Sequence, residues 1–586
     1  MSKAIVKSRS VYREPDYSKD WEYTVGETNT LVTKYIGSNK IVNTPNKIDK
    51  KIVVLQNSAN AYSGVFTNNR NITSIVFNNG ITFTNNSMAY ALRYCINLTQ
   101  SPNIPNSVTN LAQTFDYCNH LIQAPEIPNS VTNMFATFRN CSNLIQAPEI
   151  PNSVTTMSST FSYCSNLIQV SDIPDSVTIL TNTFRNCTNL TQGPNIFSNS
   201  VTSMAGTFYN CRKLIQAPNI PNSVITLDYT FENCRKLIQV SDIPDSVTIL
   251  TNTFRNCTNL TQGPNIFSNS ITSMDYTFAN CGKLIQAPNI PNSVTNIINA
   301  FYECVNLIQS PEIPNGVTDM VNTFYNCRKL TQAPNIPNSV TSMYKTFDGC
   351  YNLIQAPEIP NSVIDMSSTF SHCNNLIQAP NIPNSVTNIS WTFFYCSNLI
   401  QAPEIPNSVI DMSATFKKCS NLIQAPEIPN SVTTMSSTFS SCSNLIQAPN
   451  IPNSVANMAY TFWDCSNLIQ VPNIPNSVTD IHDTFCGCSQ LPQAPEIPSS
   501  VTNMYQTFRG CSELIGNIVI HSENITNFNN CFYNTNASKV KNVYIPYQYS
   551  NGVNTKTYNA AFNTTYGING KNGVTVYDIN TYTETI

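Results

Sequence analysis

A repeat solenoid of about 20 coils of 23 residues, mostly β with short helical or irregular corner turns, is the fold that this sequence predicts. Three observations predict it. Cysteine recurs from Cys95 to Cys511 in 18 intervals, of which 16 are 23 residues long and two are 24. The apolar residues between the cysteines recur with them, so that residues 141–163, CSNLIQAPEIPNSVTTMSSTFSY, stand for nearly every unit. Residues 170–204 return at 240–274 with one change, Val201 to Ile271, which marks tandem duplication of a 70-residue block. At 586 residues the length alone suggests several ordinary domains, but a fixed period overrides that prior.

Within one unit the core candidates are Cys141, Leu144, Ile145, Ala147, Pro148, Ile150, Pro151, Val154, Met157 and Phe161. A single unit is too small to bury them, whereas stacking places each on its own copy. Leu144–Gln146 reads as the best strand, cut short because two prolines follow and proline offers no amide proton. Ser153–Met157 reads as a second extended segment by its alternating apolar residues. The Thr-Phe-x-x-Cys stretch turns the corner, and parallel ladders about 4.8 Å apart join neighbouring coils. Gln146 and its equivalents are regular enough to form an amide ladder along the stack. The 24-residue units, with GPNIFSNS in place of APEIPNS, require a one-residue bulge.

These units resemble the BspA-like (Treponema-type) leucine-rich repeat, whose Cys-x-x-Leu, Pro-x-x-Val-x-x-Ile and Ala-Phe-x-x-Cys phrases are matched here by Cys141, Leu144, Pro151, Val154, Met157 and Phe161. The resemblance runs from about residue 66 to residue 535 and extends to repeats of bacterial surface proteins. It implies a leucine-rich-repeat-like solenoid used for binding. An extra residue, usually Pro148 or its equivalent, interrupts the strand relative to that pattern. In the first coil Asn69 stands where cysteine is expected, and Ile72, Ile75 and Phe77 form an uninterrupted strand pattern.

The ends differ from the array. Residues 1–28 read as a polar arm or attachment segment, 29–94 as an N-terminal cap with the first degenerate repeat, 95–511 as the solenoid, and 512–586 as a decaying last repeat with a C-terminal cap. Within the last segment VKNVYIPYQY, TKTYNAAFNTTYG and GVTVYDI read as strand, helix and strand.

Twenty-one cysteines invite a disulfide reading, since stacked coils bring equivalent Cα atoms within bridging distance. Equivalent side chains, however, point the same way, so Cys118, Cys141, Cys164, Cys304, Cys327, Cys350, Cys419 and Cys442 are expected to form a ladder of free, buried thiols. Cys486 is out of register and, with His482 and Asp483, falls short of a zinc ligand set. The histidines, His120, His372, His482 and His521, are scattered, and no nucleophile elbow, zincin helix or phosphate loop occurs. No catalytic residue, metal or cofactor is expected.

Charged residues are only 11% of the chain and the net charge is −3, so the clustered positive field that nucleic acid demands is missing. The N-terminus carries no apolar signal region and no stretch approaches a membrane span, so neither nucleic acid nor membrane insertion is expected.

A binding face belongs where otherwise identical coils differ. The two residues before each cysteine vary most and include Tyr163, Tyr209, Tyr302, Tyr325, Phe394, Tyr395 and Trp463; those just after the methionine position include Tyr229, Tyr276, Tyr344, Trp391, Tyr460 and Tyr505. Aromatics among serine and asparagine suit protein or sugar recognition. The expected function is therefore non-enzymatic recognition of a host-surface protein or glycan, in a phage tail or tail-fibre-like component whose N-terminal segment joins other virion proteins. The alternatives are a bacterial or protozoan cell-surface adhesin and an intracellular scaffold.

Overall fold

The computed structural model describes residues 16–57, 64–195, 199–266, 268–535, 540–545 and 575–578. The chain divides into two compact units, Met1–Leu260 and Thr261–Ile586. The first carries the N-terminal cap. In it β1 (Trp21–Val25), β2 (Asn29–Tyr35), β4 (Lys47–Ile48), β5 (Lys51–Leu55) and β7 (Thr82–Phe83) share one sheet, while β3 (Ile41–Asn43) pairs in parallel with β6 (Ser74–Val76). Strand β1 comes from the second half of the expected arm. Its Trp21 is buried edge-on against Tyr35 and Phe66, at 4.8 and 5.8 Å between ring centroids. From Ser74 the parallel pairing passes to Gln100, Gln123, Gln146 and Gln169, one residue per coil.

Each coil is therefore a closed circuit of tight turns joined to its neighbours by very short ladders. One bridge lies at the glutamine, the other at Asn133, Thr156 and their equivalents. Proline explains why the first ladder does not lengthen: Pro148 stands two residues after Gln146 and has no N–H to donate. The best-bonded part of a coil is instead its corner. There Met134, Ala136, Phe138 and Asn140 donate their amides at 2.8–2.9 Å to Thr156, Ser158, Thr160 and Ser162 of the next coil, while Thr137, Arg139 and Cys141 close i to i+3 turns back onto Met134, Ala136 and Phe138. The corner is thus neither strand nor helix.

Side-chain ladders complete the stack. Buried phenylalanine rings from Phe115 to Phe254 in the first unit and from Phe278 to Phe532 in the second lie nearly parallel, 5.3–5.8 Å apart. Thr160 Oγ1 lies 2.7 and 2.8 Å from the carbonyls of Met157 and Met134, and Ser153 Oγ donates to the Val131 carbonyl at 2.6 Å. All 21 cysteines are free and buried. The ladder thiols are more than small hydrophobes, because they donate to corner carbonyls one layer back, Cys118 to Leu92 at 3.2 Å, Cys141 to Phe115 at 3.1 Å and Cys419 to Phe393 at 3.1 Å. Burial pushes these thiols up from 9.0, Cys95 and Cys304 to about 12, and keeps them protonated donors.

Three expectations change. Ile145 and its equivalents are not core, since Leu144 faces inward and the next residue of an extended segment faces out, leaving Ile145 49% exposed. Gln146 is exposed as well, and no side-chain hydrogen bond joins it to Gln123 or Gln169, so the ladder there belongs to the backbone. The strand reading of Leu144–Gln146 shrinks to one bridge. The bulge expected in the two 24-residue units falls partly on residues 196–198 and 267, which lie outside the described residues. So do most of the expected arm and the expected C-terminal helix. In the second unit β8 (Gly516–Val519), β9 (Val540–Ile545) and β10 (Thr575–Asp578) form a parallel sheet in the order β10-β9-β8.

Candidate interaction surface

The corner decides what a coil can display. Its alternating bonds force two residues per coil into the left-handed region, the second after the methionine position and the last before the cysteine: Ala136 and Asn140, Ser159 and Tyr163, Trp391 and Tyr395. Asparagine and glycine take this conformation most readily, and asparagine accordingly fills it at Asn182, Asn186, Asn210, Asn322 and Asn326. Tyr163, Tyr229, Tyr276, Trp391, Tyr395 and Tyr460 take it too, although a bulky side chain there costs roughly 1–2 kcal/mol. An aromatic held against its backbone preference is a reason to look for a function.

None of the thirteen aromatics singled out from the sequence is buried. Tyr163, Tyr229, Trp391, Tyr395 and Tyr460 are exposed; Tyr209, Tyr276, Tyr302, Tyr325, Tyr344, Phe394, Trp463 and Tyr505 are half-buried. The two stripes read from the sequence meet on one face. Trp391, from the stripe after the methionine position, packs edge-on to Phe394, from the stripe before the cysteine, at 4.9 Å. Along the stripes Tyr302 stacks on Tyr325 at 4.7 Å, and Arg185 lies 3.9 Å over the Tyr209 ring. Tyr460 meets His482 at 4.8 Å, and Lys345 Nζ lies 5.0 Å over Tyr344.

The densest assembly lies between Asp348 and Lys418 in the second unit. His372 stacks on Tyr395 at 5.6 Å and stands edge-on to Phe394 at 4.9 Å. Lys417 Nζ is 5.7 Å over Trp391, and Lys418 Nζ is 4.8 Å over Tyr395. Burial, and then the neighbouring Lys418, hold the Lys417 ammonium below its usual value. Two cations on two exposed ring faces leave a surface of hydrogen-bond donors and π faces.

His372 and Asp348 were not among the residues that sequence reasoning chose. Scattering along the chain hid that His372 and Asp348 occupy the same varying register as Tyr395 and Phe394. Their chemistry is not that of a catalytic triad. Ser371 Oγ at 3.0 Å and Asp348 Oδ1 at 3.2 Å both approach Nδ1 of His372, whereas the nucleophile and the orienting carboxylate of a triad use different nitrogens of the histidine ring. His482 Nδ1 lies 2.7 Å from Asp480, and burial, then the neighbouring Asp483, push the Cys486 thiol up to about 11. Among the described residues no group of three or more His, Cys, Asp or Glu is placed to hold a metal ion, and no helix is long and apolar enough to cross a membrane.

The sequence model of the BspA type leucine rich repeat region matches in overlapping segments that run without a break from residue 32 to residue 582. The chain belongs to that family. No curated protein matches this BspA-type chain in sequence. Among solved structures it is similar to a leucine-rich cell surface protein from Faecalibacterium prausnitzii, at 20% identity over 80% of this chain and 92% of the other, with a TM-score of 0.25. A leucine-rich repeat protein from Bacteroides ovatus is 17% identical over 83% and 93%, with a TM-score of 0.26. The leucine-rich repeat protein of Treponema pallidum is 19% identical over 42% and 89%, with a TM-score of 0.25.

Proposed function

We propose that this BspA-type protein is a non-enzymatic recognition protein whose corner face binds a protein or glycan on another cell surface. The observation that carries the reading is the convergence of Trp391, Phe394, Tyr395, His372, Lys417 and Lys418 on the part of the coil where the repeats differ most, two of the aromatics in a backbone conformation that disfavours them. Rigid rings give contact area at low entropic cost, and the serine, asparagine and cationic neighbours supply hydrogen bonds.

A cell-surface adhesin is the placement we favour, because the family membership is shared with a repeat type met in bacterial surface proteins. A phage tail component, with the N-terminal segment joined to other virion proteins, is the second placement. Tail, baseplate or portal genes beside this one would select it.

The test is a pull-down of surface glycans and whole cells by the intact chain and by a variant carrying Trp391→Ala, Phe394→Ala, Tyr395→Ala and Trp463→Ala. Half-exposed aromatics at a recognition face contribute about 2 kcal/mol or more each at hot spots. We expect capture by the variant to fall at least 30-fold with its melting temperature within a few degrees of the parent's. Equal capture by both proteins removes the corner face from consideration.

A further inference from the structure

The face built from Leu-Ile-Gln and the residues after it carries a chemistry that the corner lacks. In the second unit Ile354, Ile377, Ile400, Ile423, Ile446 and Ile469 occupy six successive coils, each 46–53% exposed, in one unbroken row beside the bridged glutamines. Aligned apolar exposure of this extent marks an interaction surface rather than chance. Charge is segregated around it. From the fifth to the seventeenth residue of every coil between Cys95 and Cys511 there is no Lys or Arg, and the charged residues there are all carboxylates. Glu358, Glu404 and Glu427 are exposed four residues beyond their isoleucines and make no ion pair among the described residues. Open grooves of about 640 and 670 Å³ run between coils over residues 401–429 and 423–450.

We infer that this row is a second docking surface and that its occupant is a cationic amphipathic helix of a partner protein. Complementarity sets the charge: three exposed carboxylates beside an apolar row, in a part of the coil that holds no Lys or Arg, disfavour acidic partners and favour Lys or Arg flanking an apolar stripe. Geometry sets the conformation. Side chains along the row repeat at the coil spacing of about 4.8 Å. Successive turns of an α-helix repeat at about 5.4 Å, near that spacing, whereas alternate residues of an extended chain repeat at about 6.8 Å. Six coils span roughly 29 Å, the length of about 19 helical residues.

The array itself supplies conservative test substitutions, since threonine already occupies the isoleucine position at Thr99, Thr191, Thr261 and Thr331, and asparagine the glutamate position at Asn381 and Asn450. The probe is a labelled 19-residue Leu/Lys peptide with leucine at helical i, i+3, i+4, i+7 spacing, compared with its Leu/Glu counterpart and with a sequence-scrambled control, by fluorescence anisotropy on the intact chain. We expect the Leu/Lys peptide alone to bind. Ile377→Thr, Ile400→Thr, Ile423→Thr and Ile446→Thr together should weaken it at least 30-fold. Glu358→Asn, Glu404→Asn and Glu427→Asn should weaken it about 10-fold at low salt and less at 0.5 M salt. The aromatic variant of the corner face should bind the peptide as the parent does, which separates this site from the one proposed above. Unchanged affinity in both variants, equal binding of the acidic or scrambled peptide, or a fall in the chain's own oligomeric mass on Ile→Thr substitution would each overturn the inference, the last by giving the row to a second copy.

Discussion

Raising the pH from 8 to 10.5 should unfold the array far more steeply than it unfolds a protein with ordinary buried tyrosines and lysines. The cause is the thiol ladder. Burial, and next to it the repulsion of neighbouring cysteines, raises Cys118, Cys141, Cys327, Cys373 and Cys442 well above 9.0, so the folded chain keeps protons that the unfolded chain releases. A pKa raised on folding contributes stability that is complete below the unfolded value and is lost as pH climbs towards the folded one; here the loss begins near pH 9 and continues past the value of about 12 held by Cys95 and Cys304. At pH 10, one unit above the unfolded value, each such thiol withdraws about 1.4 kcal/mol. Ten of them withdraw about 14 kcal/mol, as much as the whole margin of a typical domain. Melting temperature followed by circular dichroism against pH measures this directly. A thiol reagent at pH 7.5 should label almost nothing until denaturant is added, and the least buried thiol, Cys486, which burial and Asp483 raise only to about 11, should be the first to react. A melting temperature that stays level between pH 8 and 10.5 contradicts the account of the ladder.

Phe347→Ala should destabilise the second unit by about 3–5 kcal/mol, the range for emptying a fully buried phenylalanine site. Phe347 is fully buried and stacks on Phe324 and Phe370 at 5.7 Å on either side, so its removal leaves a gap in a column rather than at an edge. Because a solenoid holds together through nearest-neighbour interfaces, the loss is concentrated in the coils on either side and should split a single unfolding transition into two. Ile354→Thr, a change at an exposed site in the following coil, should stay within about 0.5 kcal/mol and serves as the control. Denaturant titration followed by tyrosine fluorescence reads both. A cost below about 1 kcal/mol for Phe347→Ala would show that the ring column contributes little.

The fold was legible in the sequence because a period of 23 residues aligns every coil with its copy, and Cys141, Leu144, Val154, Met157 and Phe161 fall where stacking requires them, all of them buried. Regularity, however, is not burial. Ile145 repeats as faithfully as Leu144 yet faces outward, and one repeat of sequence carries no direct sign of which side of a one-bridge strand is the inside. The corner's alternating bonds were hidden for a different reason. Their signature is asparagine at two fixed positions, as at Asn182 and Asn186, where the backbone is left-handed, and asparagine is so common throughout this chain that its placement did not stand out.

The varying positions were legible as two stripes, but not as one face. Trp391 and Phe394 are three residues apart and meet only because the intervening turn closes on itself, Phe394 donating its amide to the Trp391 carbonyl at 3.1 Å. His372 joins them from the preceding coil, a neighbour that periodicity implies once its register is counted from Cys373 rather than from the other histidines.

The claim that recognition resides on the corner face is tested most directly by photo-cross-linking to the cell-surface ligand. A photo-reactive residue is placed in turn at Ser390, beside Trp391, and at exposed Asn407, in the Pro-Asn-Ser turn of the next coil. We expect a cross-link to surface protein or glycan from position 390 and none from position 407. A cross-link from position 407 alone would contradict the assignment.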